Sequence, residues 1–176
     1  MIKIGILGDI GAGKSYVAQN FGYPVFNADY EVAKLYQQNK NVFNNLKIKL
    51  PKHIHSFPVK KIEISNAILA NKNNLNKIIK IVHTEIRKKM NLFLKKNKYS
   101  EIVILDIPLL LENKINKKDD ILVYVQATKF NILRRLKKRK NFNQKLLKKF
   151  KSIQLPITYK KKKSHYIVKN NFTKKS

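Results

Sequence analysis

Gly8-Asp9-Ile10-Gly11-Ala12-Gly13-Lys14-Ser15 has the spacing G-x-x-x-x-G-K-[ST] and joins an apolar run, Lys3 to Leu7, to a stretch without turn residues from Lys14 to Phe21. Strand, glycine-rich loop and helix in that order build a phosphate cradle. The glycines let the backbone turn its N–H groups inward, and the helix N-terminus adds partial positive charge. In such a loop Lys14 reaches the β- and γ-phosphates of a nucleoside triphosphate, and the Ser15 hydroxyl ligates magnesium. The chain has five glycines, and four of them (Gly5, Gly8, Gly11, Gly13) fall at or before position 13, so the pattern is not a by-product of composition. Asp9 lies inside the loop, where a carboxylate repels phosphate unless it points outward, and it reads as structural.

Transfer of a phosphoryl group to an alcohol needs a base near the acceptor hydroxyl and a carboxylate near the metal. Only ten carboxylates are available. Ligands of open α/β sheets bind at the carboxyl ends of the strands; Asp29 follows the second apolar strand and Asp106 closes the third. Asp29 is the candidate base, with helix capping as its plain alternative. Asp106 is the candidate metal carboxylate, acting through water, with strand termination as its alternative. Asp119 and Asp120 read as an exposed turn, Glu31, Glu63, Glu85 and Glu101 as surface charges, and Glu112 is left open. His83 and Arg87 stand four apart on a helical pattern, so they share a face and could meet one anionic group, although a lone histidine is often just packed. His53, His55 and His165 have no metal-ligand spacing. Arg135 and Arg139 lie on a basic helix that could equally be a solvated face.

These residues need a scaffold. Strand signals at Lys3–Leu7, Tyr23–Phe26, Glu101–Asp106, Ile121–Val125 and Tyr166–Val168 alternate with helical stretches at 14–21, 30–38, 128–139 and 143–153. The near-continuous apolar character of the longer strands predicts an α/β fold with a parallel sheet flanked by helices. Between 39 and 97, Ile64, Ile68, Leu75, Ile78, Ile79, Val82, Ile86, Met90 and Phe93 recur at intervals near three and four, which predicts an inserted helical lobe.

The formal charge is +29, yet only four of the 39 basic residues are arginine (Arg87, Arg134, Arg135, Arg139). Abundant lysine, asparagine and isoleucine are what A/T-rich codons encode, so the charge reads as compositional drift on an ordinary enzyme. Lysine on every face gives salt-sensitive attraction to polyanions, not a shaped site. There is no cysteine, which excludes disulfides and thiolate metal sites. The sequence lacks a signal-peptide pattern and any apolar stretch near the length of a membrane span. A soluble, cytoplasmic chain is therefore expected, with a monomer as the default.

At several of these residues the chain resembles the dephospho-coenzyme A kinase family. The likeness begins with Ile6-Leu7-Gly8-Asp9-Ile10-Gly11-Ala12-Gly13-Lys14-Ser15, where Asp9 replaces a glycine. Val25-Phe26-Asn27-Ala28-Asp29 is similar to a Val-Ile-Asp-Ala-Asp motif, with Asn27 in place of the first aspartate. Ile81-Val82-His83-Thr84-Glu85-Ile86-Arg87 resembles a Leu-His-Pro-x-Val/Ile-Arg motif, and Val103-Ile104-Leu105-Asp106-Ile107-Pro108-Leu109-Leu110-Leu111-Glu112 is very close to Asp-Ile-Pro-Leu-Leu-Phe-Glu. Arg134-Arg135-Leu136-Lys137-Lys138-Arg139 is similar to an Arg-Leu-x-x-Arg lid entry, and Ile153-Gln154-Leu155-Pro156 to a Gln-x-Pro stretch, with Phe150 where an arginine is expected. Tyr166-Ile167-Val168-Lys169-Asn170 resembles the last strand, and Ser164-His165 stands in place of Ala-Asp.

The resemblance implies one P-loop kinase domain over 1–176. Its core would cover about 1–38, 100–128 and 164–170, its helical substrate lobe about 39–99 and its lid about 129–160. It implies ATP-dependent phosphorylation of the ribose 3′-hydroxyl of dephospho-coenzyme A, with Mg2+ accompanying ATP. Gly8, Gly11, Ala12, Gly13, Lys14, Ser15, Tyr16 and Asn170 would bind ATP, and Asp29, His83, Arg87 and Asp106 the acceptor. Asp29, Lys14, Arg135 and Arg139 would be catalytic, while Ser15 and Asp106 would hold the metal. No specific nucleic acid and no membrane are expected as partners. Two rival readings are a P-loop kinase of nucleoside monophosphates or another small metabolite, and a basic RNA-binding protein with a vestigial nucleotide site.

Overall fold

The apolar runs read as strands pair into a single five-stranded sheet in the computed structural model, which describes residues 1–140 and 142–172. Asn141, inside the expected lid range, and positions 173–176 of the expected domain lie outside the described residues. The strands are β1 (Ile2–Gly8), β2 (Val25–Asn27), β3 (Ile102–Asp106), β4 (Ile121–Gln126) and β5 (Tyr166–Lys169). Their order is β2-β3-β1-β4-β5, and every neighbouring pair is parallel. The helices are α1 (Lys14–Gln19), α2 (Ala28–Gln38), α3 (Lys40–Lys49), α4 (Lys61–Ala70), α5 (Lys72–Lys96), α6 (Lys129–Lys137), α7 (Gln144–Ser152) and α8 (Ile157–Lys163). The sequence reading did not separate α8, because Lys160–Lys163 look like plain surface charge. Among the described residues no helix is long and apolar enough to cross a membrane.

Contacts divide the chain into two compact units. The first, Met1–Ala28, Leu94–Phe142 and from Ile153 onward, contains the whole sheet with α1, α6 and α8. Its central strands are buried on both faces, with Ile4, Ile6 and Leu7 of β1, Val103–Leu105 of β3 and Leu122–Val125 of β4 all in the core. This burial explains their unbroken apolar character. Gly5 sits in the middle of β1 for a packing reason. A Cβ there would collide with Leu110 and lie 3.0 Å from Leu122 Cδ2, so glycine lets the fully buried Leu110 of the Ile107-Pro108-Leu109-Leu110 turn rest on the sheet.

Asp120 departs from its sequence reading as an exposed turn residue. It is buried, accepts the Lys117 N–H at 2.8 Å and pairs with Lys3 at 3.1 Å. Lys3 is on β1, whose neighbour β4 starts at Ile121, so this cation close to the sheet takes the nearest carboxylate.

The second unit, Asp29–Phe93 with Asn143–Ser152, is helical. Ile64, Ile68, Leu75, Ile78, Val82 and Ile86 of the sequence pattern are in its core, joined by Leu35, Val42, Leu46 and Ala67, while Ile79, Met90 and Phe93 are only partly buried. Glu63, read as a surface charge, organises the entry to α4. Its Oε1 accepts the N–H groups of His55 and Ser56 at 3.2 Å each, and Oε2 accepts that of Lys60 at 3.4 Å. Burial pushes its pKa up, but the Ser56 side chain and these N–H groups outweigh that and leave it below the ordinary value.

Candidate active site

β1 ends at Gly8 and α1 begins at Lys14, so the loop between them closes on left-handed glycines, Gly11 at φ 86° and Gly13 at φ 92°. Glycine is required at both for a second reason. A Cβ on Gly11 would lie 3.0 Å from Leu136 of α6, and one on Gly13 would collide with Asn170 Nδ2. Lys14 lies across the loop, its Nζ donating to Asp9 O at 3.0 Å and Gly8 O at 3.3 Å. Asp9 has a structural part in the turn. Its Oδ1 accepts the Ile10 N–H at 2.7 Å and its carbonyl accepts that of Ala12 at 3.1 Å. Burial, and then the Asp9 charge, push the phenol of Tyr124 on β4 above its usual range.

Asp106 is buried at the carboxyl end of β3. It accepts the Ser15 hydroxyl, lies within the field of Lys14, and takes a bond from Asn27 Nδ2 at 2.8 Å. Asn27 is its register partner across the β2–β3 pair, which is why that side chain reaches it. Burial raises the Asp106 pKa above the carboxylate range, against the Ser15 bond and the Lys14 charge. A hydroxyl and a carboxylate meeting beside a phosphate loop are hard oxygen donors of the kind a magnesium ion takes. Among the described residues no cluster of three or more His, Cys, Asp or Glu offers an all-protein metal cage.

Arg135 and Asn170 also belong to the unit that carries the loop. Arg135 donates to Gly11 O at 3.5 Å, and the buried Asn170 donates from Nδ2 to Ala12 O at 2.9 Å. Tyr16 is exposed on α1, and Arg139 is exposed past the end of α6. Asp29, His83 and Arg87 lie in the helical unit. Asp29 is exposed in the first turn of α2, two residues beyond Asn27. His83 is half-buried on α5, and burial followed by the charge of Arg87 holds its pKa below the ordinary value. The imidazole is thus neutral at pH 7, and exposed Arg87 carries the positive charge of that helix face.

Three residues of the sheet-bearing unit, Asn27, Lys160 and Phe172, were not singled out in the sequence. Asn27 was noted only as a replaced aspartate. Lys160 is buried and bonds Glu112 Oε1 at 2.7 Å, and the same oxygen accepts the Leu155 N–H at 3.0 Å. Glu112 Oε2 is buried with no hydrogen-bond partner among the described residues. Phe172 lies under Arg135, whose guanidinium is 4.3 Å from the ring centroid. Glu112 was left open in the sequence, and nothing marked Lys160 among its lysine neighbours or Phe172 in the tail.

A five-stranded parallel sheet in this order, a phosphate loop leading from its central strand and a carboxylate at the end of the adjacent strand define a P-loop kinase. Comparison with known proteins then narrows the class. The dephospho-CoA kinase family matches residues 2–175, and the chain belongs to it. A dephospho-CoA kinase of Wolbachia pipientis wMel is 31% identical over 176 residues, covering 97% of this chain and 90% of the relative. That of Wolbachia sp. subsp. Brugia malayi (strain TRS) is 30% identical over the same length and coverage. A solved protein of Thermus thermophilus aligns with a TM-score of 0.73 at 27% identity, over 97% of this chain and 88% of the other. Dephospho-CoA kinase from Campylobacter jejuni has a TM-score of 0.61 at 19% identity, over 98% and 90%, and shares the fold.

Proposed function

We propose that this chain performs its family's reaction, ATP plus dephospho-coenzyme A to ADP plus coenzyme A, through the residues gathered at the phosphate loop. The observation that carries the reading is the Ser15 hydroxyl bonded to buried Asp106 beside Lys14, within a full-length match to the family. In this reading the loop from Gly8 to Ser15 binds the phosphates, Tyr16 and Asn170 line the nucleotide, and Lys14, Arg135 and Arg139 balance charge on the transferred group. Arginine suits the last task because it stays charged and binds two oxygens at once. Ser15 would hold Mg2+, and Asp106 would orient the ion's waters. When bound, the ion would screen phosphate charge. Asp29 takes the proton of the ribose 3′-hydroxyl, while Arg87 offers charge and His83 a neutral hydrogen bond to the acceptor's anionic groups. Cytoplasmic residence, a monomeric state and the lack of a specific nucleic-acid partner belong to the same reading.

Coupled detection of ADP with and without dephospho-coenzyme A tests it. ADP release that depends on dephospho-coenzyme A is expected. A preference for a nucleoside monophosphate, or RNA affinity at physiological salt without ATP turnover, would overturn it.

A further inference from the structure

The chain's tail carries an aromatic ring beside the phosphate loop that none of the roles above uses. Phe172 has a left-handed backbone, φ 60°, uncommon for a bulky residue, and its N–H donates to Asn170 Oδ1 at 2.9 Å. The other end of the same amide bonds Ala12 O, so one buried side chain fastens the turn after β5 to the loop. Arg135 reaches the ring from α6, with its guanidinium 4.3 Å from the centroid. A Cβ on Gly13 would lie 3.2 Å from Phe172 Cε1 and 3.3 Å from Arg135 Nη1, so ring and guanidinium both approach the backbone at the start of α1.

A nucleotide whose phosphates occupy Gly11–Ser15 must seat its base on a surface within reach of that loop. An aromatic ring, partly buried and held by Asn170, is such a surface, because every base has a π-face that stacks on it. We propose that Phe172 is the residue on which the nucleotide's base stacks, with Arg135 bracing the ring, so that the tail favours purine over pyrimidine triphosphates through greater overlap. This rests on the nucleotide-binding reading of the loop and adds a specificity residue to it.

The test is titration calorimetry of the wild-type chain, Phe172→Ala and Phe172→Tyr with ATP, CTP and inorganic tripolyphosphate. Phe172→Ala is expected to weaken ATP about tenfold, to leave tripolyphosphate unchanged and to narrow the gap between ATP and CTP, while Phe172→Tyr keeps wild-type values. Equal weakening of ATP and tripolyphosphate would mean that the tail only braces the loop. No change, or tighter binding of both, would mean that the ring does not stack or that it covers the cradle. Each of these results overturns the proposal. Dephospho-coenzyme A-dependent ADP release by the same wild-type preparation keeps the two readings apart. A chain that binds ATP but ignores dephospho-coenzyme A would sink the proposed acceptor and leave the Phe172 result standing.

Discussion

Asp106 carries two opposed demands. Burial holds its pKa above the unfolded value, so its negative charge costs folding stability at neutral pH; that cost shrinks once pH falls through the folded pKa and is gone below the unfolded one. The role proposed for it beside the metal needs the same charge. Asp106→Asn should therefore be at least as stable as the wild type in urea at pH 7, while magnesium-dependent turnover falls about 10–100-fold. The acid limb of kcat/KM should lie above the range of a free carboxylate. Asn27→Asp, which sets a second carboxylate at the register partner, should move it higher still. Asp29→Asn should keep ATP binding and lower turnover by about 10²–10⁴; normal turnover would remove Asp29 as the base.

Single carboxylates also hold elements together. Glu63 gathers three N–H groups at the start of α4, and Glu63→Ala should destabilise by about 1 kcal/mol in chemical denaturation. Its pKa is depressed, so its contribution is present above the unfolded pKa and is lost as pH falls through the folded one. Glu112 and Lys160 tie the segment after β3 to α8, both buried. Lys160→Met leaves that carboxylate uncompensated and should cost about 3–5 kcal/mol. Replacing both by apolar residues should recover most of the loss, which denaturant midpoints of the single and double variants would reveal.

At the scale of the whole molecule, +29 charges repel one another, because ten carboxylates stand against 39 lysines and arginines. Salt that shortens the screening length to about 10 Å at 0.1 M should therefore raise the melting temperature at constant pH. A fall would mean that attractive pairs dominate. Glycine and acid are scarce in this background, which is why the loop stands out in the sequence and why Asp29 and Asp106 stand out as candidates. The strands were legible too, since burial on both faces leaves an unbroken apolar run, whereas α8 and the burial of Asp120 were not.

The sequence by itself determined the phosphate loop, the parallel α/β architecture and the family, because these rest on local spacing, on periodicity and on motif order along the chain. Only the tertiary structure decided which side chains meet. Asn27 reaches Asp106 because β2 and β3 pair in one register, Lys160 finds Glu112 because α8 packs on the sheet, and Phe172 meets Arg135 because Asn170 fastens the tail to the loop. Partners separated by tens of residues leave no periodic trace. In a chain this rich in lysine, a buried cation such as Lys160 looks like every exposed one until the fold removes it from water.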